Sequence, residues 1–182
     1  MRKLVKAYAV LFGFGGLVVL LDQLAKRYIE THLAFGQTIP IWNGIPKVPI
    51  TLVHWSNSGM AFGLGERWGM FLTALGILYV VGMVAIFPRV GNEWWLRFAL
   101  AIQWGGALGN LVDRLRQGHV TDFIAVGKFP VFNLADAAIN ISVAILLLGE
   151  IFGRSGEDSA AAEDAHSPED ALHDVPKVSP HE

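Results

Sequence analysis

The chain has 182 residues, of which 53% are apolar and only 16% charged, with no cysteine and a net charge of −2. A mean hydropathy of +0.43, with 20 Gly and 6 Trp, excludes an ordinary soluble domain, in which about a quarter of residues are charged, and points to the membrane. Lack of cysteine removes disulfides, thiolate nucleophiles and Cys metal ligands, and without a basic stripe interleaved with aromatics no nucleic-acid partner is expected.

In chain order, the first element is MRKLVKAYAVLFGFGGLVVLLDQLAKRYI. It starts like a signal peptide, but DQLAKRYI stands where a small-x-small cleavage site would lie, so 7–29 reads as a retained span. Segment 30–67 carries Pro40, Pro46 and Pro49 and the alternating run ITLVHW, which predicts short strands and turns. The second span, 68–88, has no charge. RVGNE then leads into a third span, 94–112, with Arg97 placed to snorkel at its end; so short a link makes the two an antiparallel pair. Segment 113–131 holds Gly118, Gly127, Pro130 and a strand-like VTDFIAV, which can join the earlier strands in one small sheet. A fourth span follows at 132–152. Each span approaches the roughly 20 residues a bilayer crossing needs.

The fold expected is therefore an all-α membrane bundle of four transmembrane helices with a small extracytoplasmic β-rich part. Residues 1–152 form this core. Residues 153–182, with 2 Lys and Arg against 8 Asp and Glu, read as an acidic, disordered cytoplasmic tail. Arg2, Lys3 and Lys6, then Arg89, then Arg154 fall on one side, which the positive-inside rule makes cytoplasmic. Both termini lie there, and segments 30–67 and 113–131 lie outside.

Four aspartates then collect near the outer interface, where ionisable groups face a protein interior or a water-filled cavity. Asp122 and Asp136 are the candidate catalytic pair. Two carboxylates held close share a proton, giving one acid and one base; the plainer alternative is that each caps a helix or holds an Arg. Asp113 shares a helix face with Asn110 and has Arg114 beside it as a partner. Asp22 and Lys26, four apart, read as a buried ion pair or as a substrate-placing pair. Gly105 and Gly109 suit close helix packing, and Gly106 either packs likewise or leaves room for a ligand chain. Asn57 and Gly59 mark a turn, with Asn57 a possible donor to a substrate carbonyl. Asn133 is placed to cap the fourth span or to orient Asp136. His119 and Asp122 lack the further ligands a zinc site takes, so neither metal nor cofactor is expected. A membrane scaffold or transporter subunit held by interfacial ion pairs is the alternative from another class. A lipid-headgroup phosphatase is a weaker one, resting on Arg114, Arg116, His119 and Lys128.

Four blocks, DQLAK at 22–26, NSGMAFGL at 57–64, GGALGNLVDRLRQGHVTDFI at 105–124 and FNLADAAI at 132–139, resemble the lipoprotein signal peptidases, or signal peptidase II, across the core. The resemblance implies a multi-pass aspartyl protease of the bacterial inner membrane. It would remove the signal peptide from prolipoproteins just before a diacylglyceryl-modified cysteine, and the antibiotic globomycin would block it. The implied catalytic residues are Asp122 and Asp136. The implied supporting or substrate-binding residues are Asp22, Lys26, Asn57, Gly59, Ala61, Gly106, Asn110, Asp113, Arg114, Asn133 and Ala135. A β-cradle and a short mobile helix are implied within 30–67. Met60, His119 and the acidic tail depart from the family pattern.

Overall fold

The structure is a computed structural model that describes residues 1–42, 48–59 and 66–164, with the backbone alone at 66–68 and 153–164. Among the described residues are four long helices and three strands, in the chain order α1 (Arg2–His32), β1 (Thr38–Trp42), β2 (Ile50–Asn57), α2 (Glu66–Ile86), α3 (Trp94–Gln117), β3 (Val120–Val126) and α4 (Leu134–Asp164). The chain falls into two compact units, Met1–Leu146 and Leu147–Glu182.

Burial is the reverse of a soluble protein's. Lys26, Asp22, Asp113, Asp122 and Asn133 are among the most completely buried side chains, while Leu17, Leu20, Leu24, Leu78, Val81 and Ile141 stand more than half exposed. Apolar residues outside and charges inside describe a surface solvated by hydrocarbon. Among the described residues three helical segments are long and apolar enough to cross a bilayer: Arg2–His32, Gly69–Arg89 and Leu134–Phe152. The expected third span, α3, is not among them by composition. It is the most buried helix, with Trp104, Asn110 and Asp113 turned into the protein, so its polar residues need no water but lower its hydropathy.

Helix ends differ instructively from the sequence reading. α3 runs past 112 to Gln117 and stops at Gly118, whose φ of 80° gives the left-handed cap, a conformation that glycine adopts without strain. Asp113 and Arg114 thus both sit within the helix, in keeping with the face that Asp113 shares with Asn110. Phe132 does not begin α4; it bridges Ile124 of β3, and the helix starts two residues later. At the other end α4 continues to Asp164, twelve residues into the stretch expected to be disordered.

The strands form one antiparallel sheet in the order β1-β2-β3, uniting the two segments expected outside the membrane. Asn57 pairs with Val120 and Trp55 with Asp122, with a register irregularity between Leu52 and Trp55. One core cluster joins Ala7, Leu11, Val80, Phe87, Ala101 and Trp104. A second, of Ile29, Leu33 and Phe123 with Leu52 and Leu134 packed on it, seats the sheet on α1.

α1 and α3 approach at glycines. A Cβ on Gly105 would overlap the Gly15 carbonyl oxygen, and one on Gly15 would lie 2.8 Å from the Ala101 oxygen. Gly105→Ala must push the helices apart and is expected to lower stability by about 1–3 kcal/mol. Gly16→Ala, with open space around it, should change little. Thermal unfolding in detergent distinguishes them; equal behaviour would show that the contact is not tight.

Candidate active site

Lys26 lies at the centre of the polar core. Its ammonium meets Asp22 Oδ2 at 2.7 Å and Asp113 Oδ2 at 2.8 Å and donates to Asn110 Oδ1 at 3.0 Å. Three donors thus find three acceptors. Asp22 and Lys26 do pair, four residues apart on one face. Asp113, however, takes Lys26 as its partner and not its neighbour Arg114, because α3 turns Asp113 toward α1. Asp113 also accepts from Gln23 Nε2 at 2.9 Å and from the Thr121 amide at 3.2 Å, which anchors the start of β3.

The same carboxylates organise α4. Asp22 Oδ1 accepts the Ala135 N–H at 3.0 Å, so a residue of α1 satisfies an orphan donor in the first turn of another helix. Asn133 is the N-cap. Its Oδ1 accepts the Asp136 N–H at 2.9 Å, while Asp136 Oδ2 accepts the Asn133 N–H at 3.3 Å. This is the reciprocal capping box with Asp in place of Glu. Both readings of Asn133 from sequence, cap and orienter of Asp136, therefore describe one arrangement.

Asn133 has two amide hydrogens left. One goes to Asp122 Oδ1 at 2.7 Å and one to Asn110 Oδ1 at 3.1 Å. Asn110 in turn donates to Asp136 Oδ1 at 2.8 Å. Asn57 donates to the second oxygen of Asp122 at 2.9 Å and accepts the Gly59 N–H at 2.9 Å; φ at Gly59 is +82°, so the Asn-x-Gly turn and the contact to Asp122 are one feature. Asp122 and Asp136 are thus held from opposite sides by Asn133, with no oxygen of either left without a donor.

Burial pushes the Asp122 carboxyl up to about 6. The Asn57 and Asn133 amides oppose this by favouring the charged form, and the charge of Asp136 adds to it. Arg114 lies within electrostatic range of Asp136, Asp122 and Asp113. Asp122 opens on a cavity of about 440 Å³ shared with Trp55, Asn57 and Pro130. Asp136 opens on another of about 440 Å³, walled by Leu72, Leu75, Tyr79, Ile139 and Arg114. A larger one, about 690 Å³, runs from Arg114 past His119 to Met70 and Ile77.

Of the two readings of Gly106, the geometry supports close packing. Gly106 does not leave room for a ligand chain: a Cβ there would lie 2.5 Å from the Ala135 carbonyl oxygen and 2.9 Å from Ile139, so its role is to let α3 meet α4. Gly109 likewise admits Asp22, whose Oδ2 would lie 2.7 Å from an added Cβ. Ala61 lies outside the described residues. Sequence reasoning missed Gln23, which donates to Asp22, Asp113 and the Gly109 carbonyl, and Glu30, which accepts from the Thr121 hydroxyl at 2.7 Å and pairs with Arg116 at 3.1 Å. A glutamine inside an otherwise apolar span was the available signal for the first. Nothing local flags Glu30.

Lys26→Met removes the positive partner of two buried carboxylates, and a loss of about 3–5 kcal/mol is expected in unfolding experiments; a near-native melting temperature would show the ion pairs to be dispensable. Asp122 allows a test in pH. Its folded value of about 6 lies above the ordinary 3.8, so the folded chain binds the proton more tightly, and the stability this gives at low pH is lost as pH rises through that interval. Asp122→Asn cannot suffer that loss. The melting temperature of Asp122→Asn minus that of the wild type should therefore climb across that window and stay level on either side. A difference independent of pH would mean that the carboxyl is not perturbed.

Residues 15–152 match the family model described as Signal peptidase (SPase) II. A lipoprotein signal peptidase of Pseudomonas fluorescens is 41% identical over 143 residues, covering 72% of this chain and 81% of the relative. One of Rhodococcus jostii is 37% identical over 152 residues, covering 79% and 73%. A bacterial membrane enzyme solved by the in meso method at 2.3 Å superposes with a TM-score of 0.68 at 28% identity, covering 79% of this chain and 88% of that one. With a family model matching most of its length and relatives 37% and 41% identical, the chain belongs to the signal peptidase II family of aspartic peptidases.

Proposed function

We propose that this chain removes the signal peptide from diacylglyceryl-modified prolipoproteins, with Asp122 and Asp136 activating the water. The observation that carries the assignment is the double grip of Asn133, whose side chain holds Asp122 and whose backbone N–H holds Asp136. Asp122, raised to about 6 by burial, is the acid. Asp136, held by the Asn110 amide, is the base. It takes a proton from water as the oxygen attacks the scissile carbonyl carbon, and Asp122 gives its proton to the carbonyl oxygen. Collapse of the resulting diol breaks the C–N bond as Asp136 passes its proton to the leaving nitrogen and Asp122 takes one from a diol hydroxyl, so the pair returns to its starting state.

Two further residues position the substrate. Arg114 and Asn57, at the mouths of the two cavities, offer donors to peptide carbonyls. The apolar wall of Leu72, Leu75 and Ile139 accepts hydrocarbon that arrives from the bilayer. Acyl transfer out of water is favourable by about 0.8 kcal/mol per CH₂, but lipid already supplies most of that, so these contacts align more than they tighten. No metal or cofactor enters the scheme, and globomycin should compete for this site.

We read α3 as a fourth crossing. At a rise of 1.5 Å its 24 residues reach about 36 Å, enough for the hydrocarbon core. Both termini then lie in the cytoplasm of a bacterium, with the aspartates near the outer face. Reporter fusions after residues 45 and 91 should report opposite sides of the inner membrane, and one after residue 128 should side with 45; a fusion at 128 on the side of 91 would remove the α3 crossing.

Catalysis is tested on purified protein with a diacylated precursor, with and without globomycin. Asp122→Asn and Asp136→Asn should each lower turnover by at least about 10²-fold while the protein still folds. The double variant should be little worse than either, because the two act as a unit. Near-normal turnover in either single variant would defeat the dyad.

A further inference from the structure

We infer that the end of the molecule remote from the aspartates carries a binding site for one anionic glycerophospholipid, between the N-terminal turns of α1 and α3. Sixteen residues of α1 separate Lys6 from Asp22, about 24 Å at helical rise, so this site is distinct from the polar core and goes beyond the peptidase reading.

A cavity of about 560 Å³ lies there. Its walls divide by chemistry. Lys6, Asn92 and Arg97 supply the polar end, and Val10, Phe14 and Phe98 the apolar end. Phe14 and Phe98 meet edge to face with centroids 5.0 Å apart, which gives the apolar wall a fixed shape. Arg97 is fixed too. It donates to the Gly91 carbonyl at 2.8 Å and the Val90 carbonyl at 3.1 Å. These bonds orient the guanidinium without neutralising it. Among the described residues the ion pairs join Lys26 to Asp22 and Asp113, and Arg116 to Glu30; none involves Lys6 or Arg97, although Glu93 is close by, its carboxylate folded over Gly91.

Two cations outside any ion pair among the described residues, beside a hydrocarbon-lined cleft on a lipid-facing surface, match a phosphate with acyl chains attached. Trp94, 78% exposed at the rim, is the residue type that settles at headgroup level. A free anion would leave the Phe14–Phe98 wall unused, and a zwitterionic lipid would bring an ammonium toward Lys6.

The test is native mass spectrometry of the full-length protein in detergent, titrated with phosphatidylglycerol, with phosphatidylcholine of the same acyl chains, and with inorganic phosphate. One phosphatidylglycerol should be retained in preference to phosphatidylcholine, and phosphate should not displace it. Lys6→Gln should weaken retention about fivefold and Lys6→Glu further. Lys3→Glu, on the same helix but outside the cavity, should change it little, and Lys6→Arg should preserve it. Equal retention of the two lipids, displacement by phosphate, or equal effects of Lys3→Glu and Lys6→Glu would overturn the site. Precursor cleavage by the Lys6 variants checks that they are folded. Should cleavage be absent in the wild type as well, the catalytic reading fails and the lipid result is unaffected.

Discussion

The whole site depends on burying one ammonium group. Lys26 is fully withdrawn from solvent, and a charge at that depth is tolerable only with several well-placed partners. Meeting that demand brings Asp22, Asp113 and Asn110 to a point, which fixes α1 against α3. Each partner has capacity left over. Asp22 uses its second oxygen on the first turn of α4, Asp113 on the Gln23 amide, and Asn110 its amide on Asp136. The constraint therefore passes outward from a structural ion cluster to the two groups proposed to do the chemistry. None of the carboxylates around Lys26 is free to take another role, which is why Asp113 belongs to the scaffold although it lies so near the pair.

Much of this was legible in the chain. Uncharged runs of hydrocarbon width reveal helices whatever their packing, and VTDFIAV alternates as a strand does. The carboxylates beside hydrocarbon marked the site, since little else explains them there. What could not be read is partnership across elements. Asp113 has Arg114 next to it in sequence, yet helical geometry points successive side chains about 100° apart, and Lys26, 87 positions away in the chain, wins. Glu30 and Thr121 meet only after the sheet has docked on α1. The end of α3 is hidden from hydropathy for a related reason: hydropathy falls at Asp113, but a helix whose polar face is buried has no cause to stop until Gly118.

The glycines show how close packing and the site are tied together. Gly105 admits the backbone of α1, Gly109 admits the Asp22 carboxylate and Gly106 admits the start of α4. All three lie within five residues of α3. That helix presents almost no side-chain bulk where three elements converge, so the polar groups above it reach one another without intervening water. Small residues serve here as much to bring carboxylates into register as to hold helices together.

The immediate neighbours of Asp122 and Asp136 are amides: Asn57, Asn110 and Asn133. Amide side chains neither gain nor lose protons in water at ordinary pH. In the proposed reaction the protons thus move among two carboxyl groups, one water and the leaving nitrogen, with an amide lining whose charge stays constant through the cycle. A neutral hydroxyl placed between the aspartates would meet the same donors and acceptors at every stage at which the pair holds a single proton. Ligands that mimic the hydrated amide should accordingly bind with a pH dependence set by the pair alone.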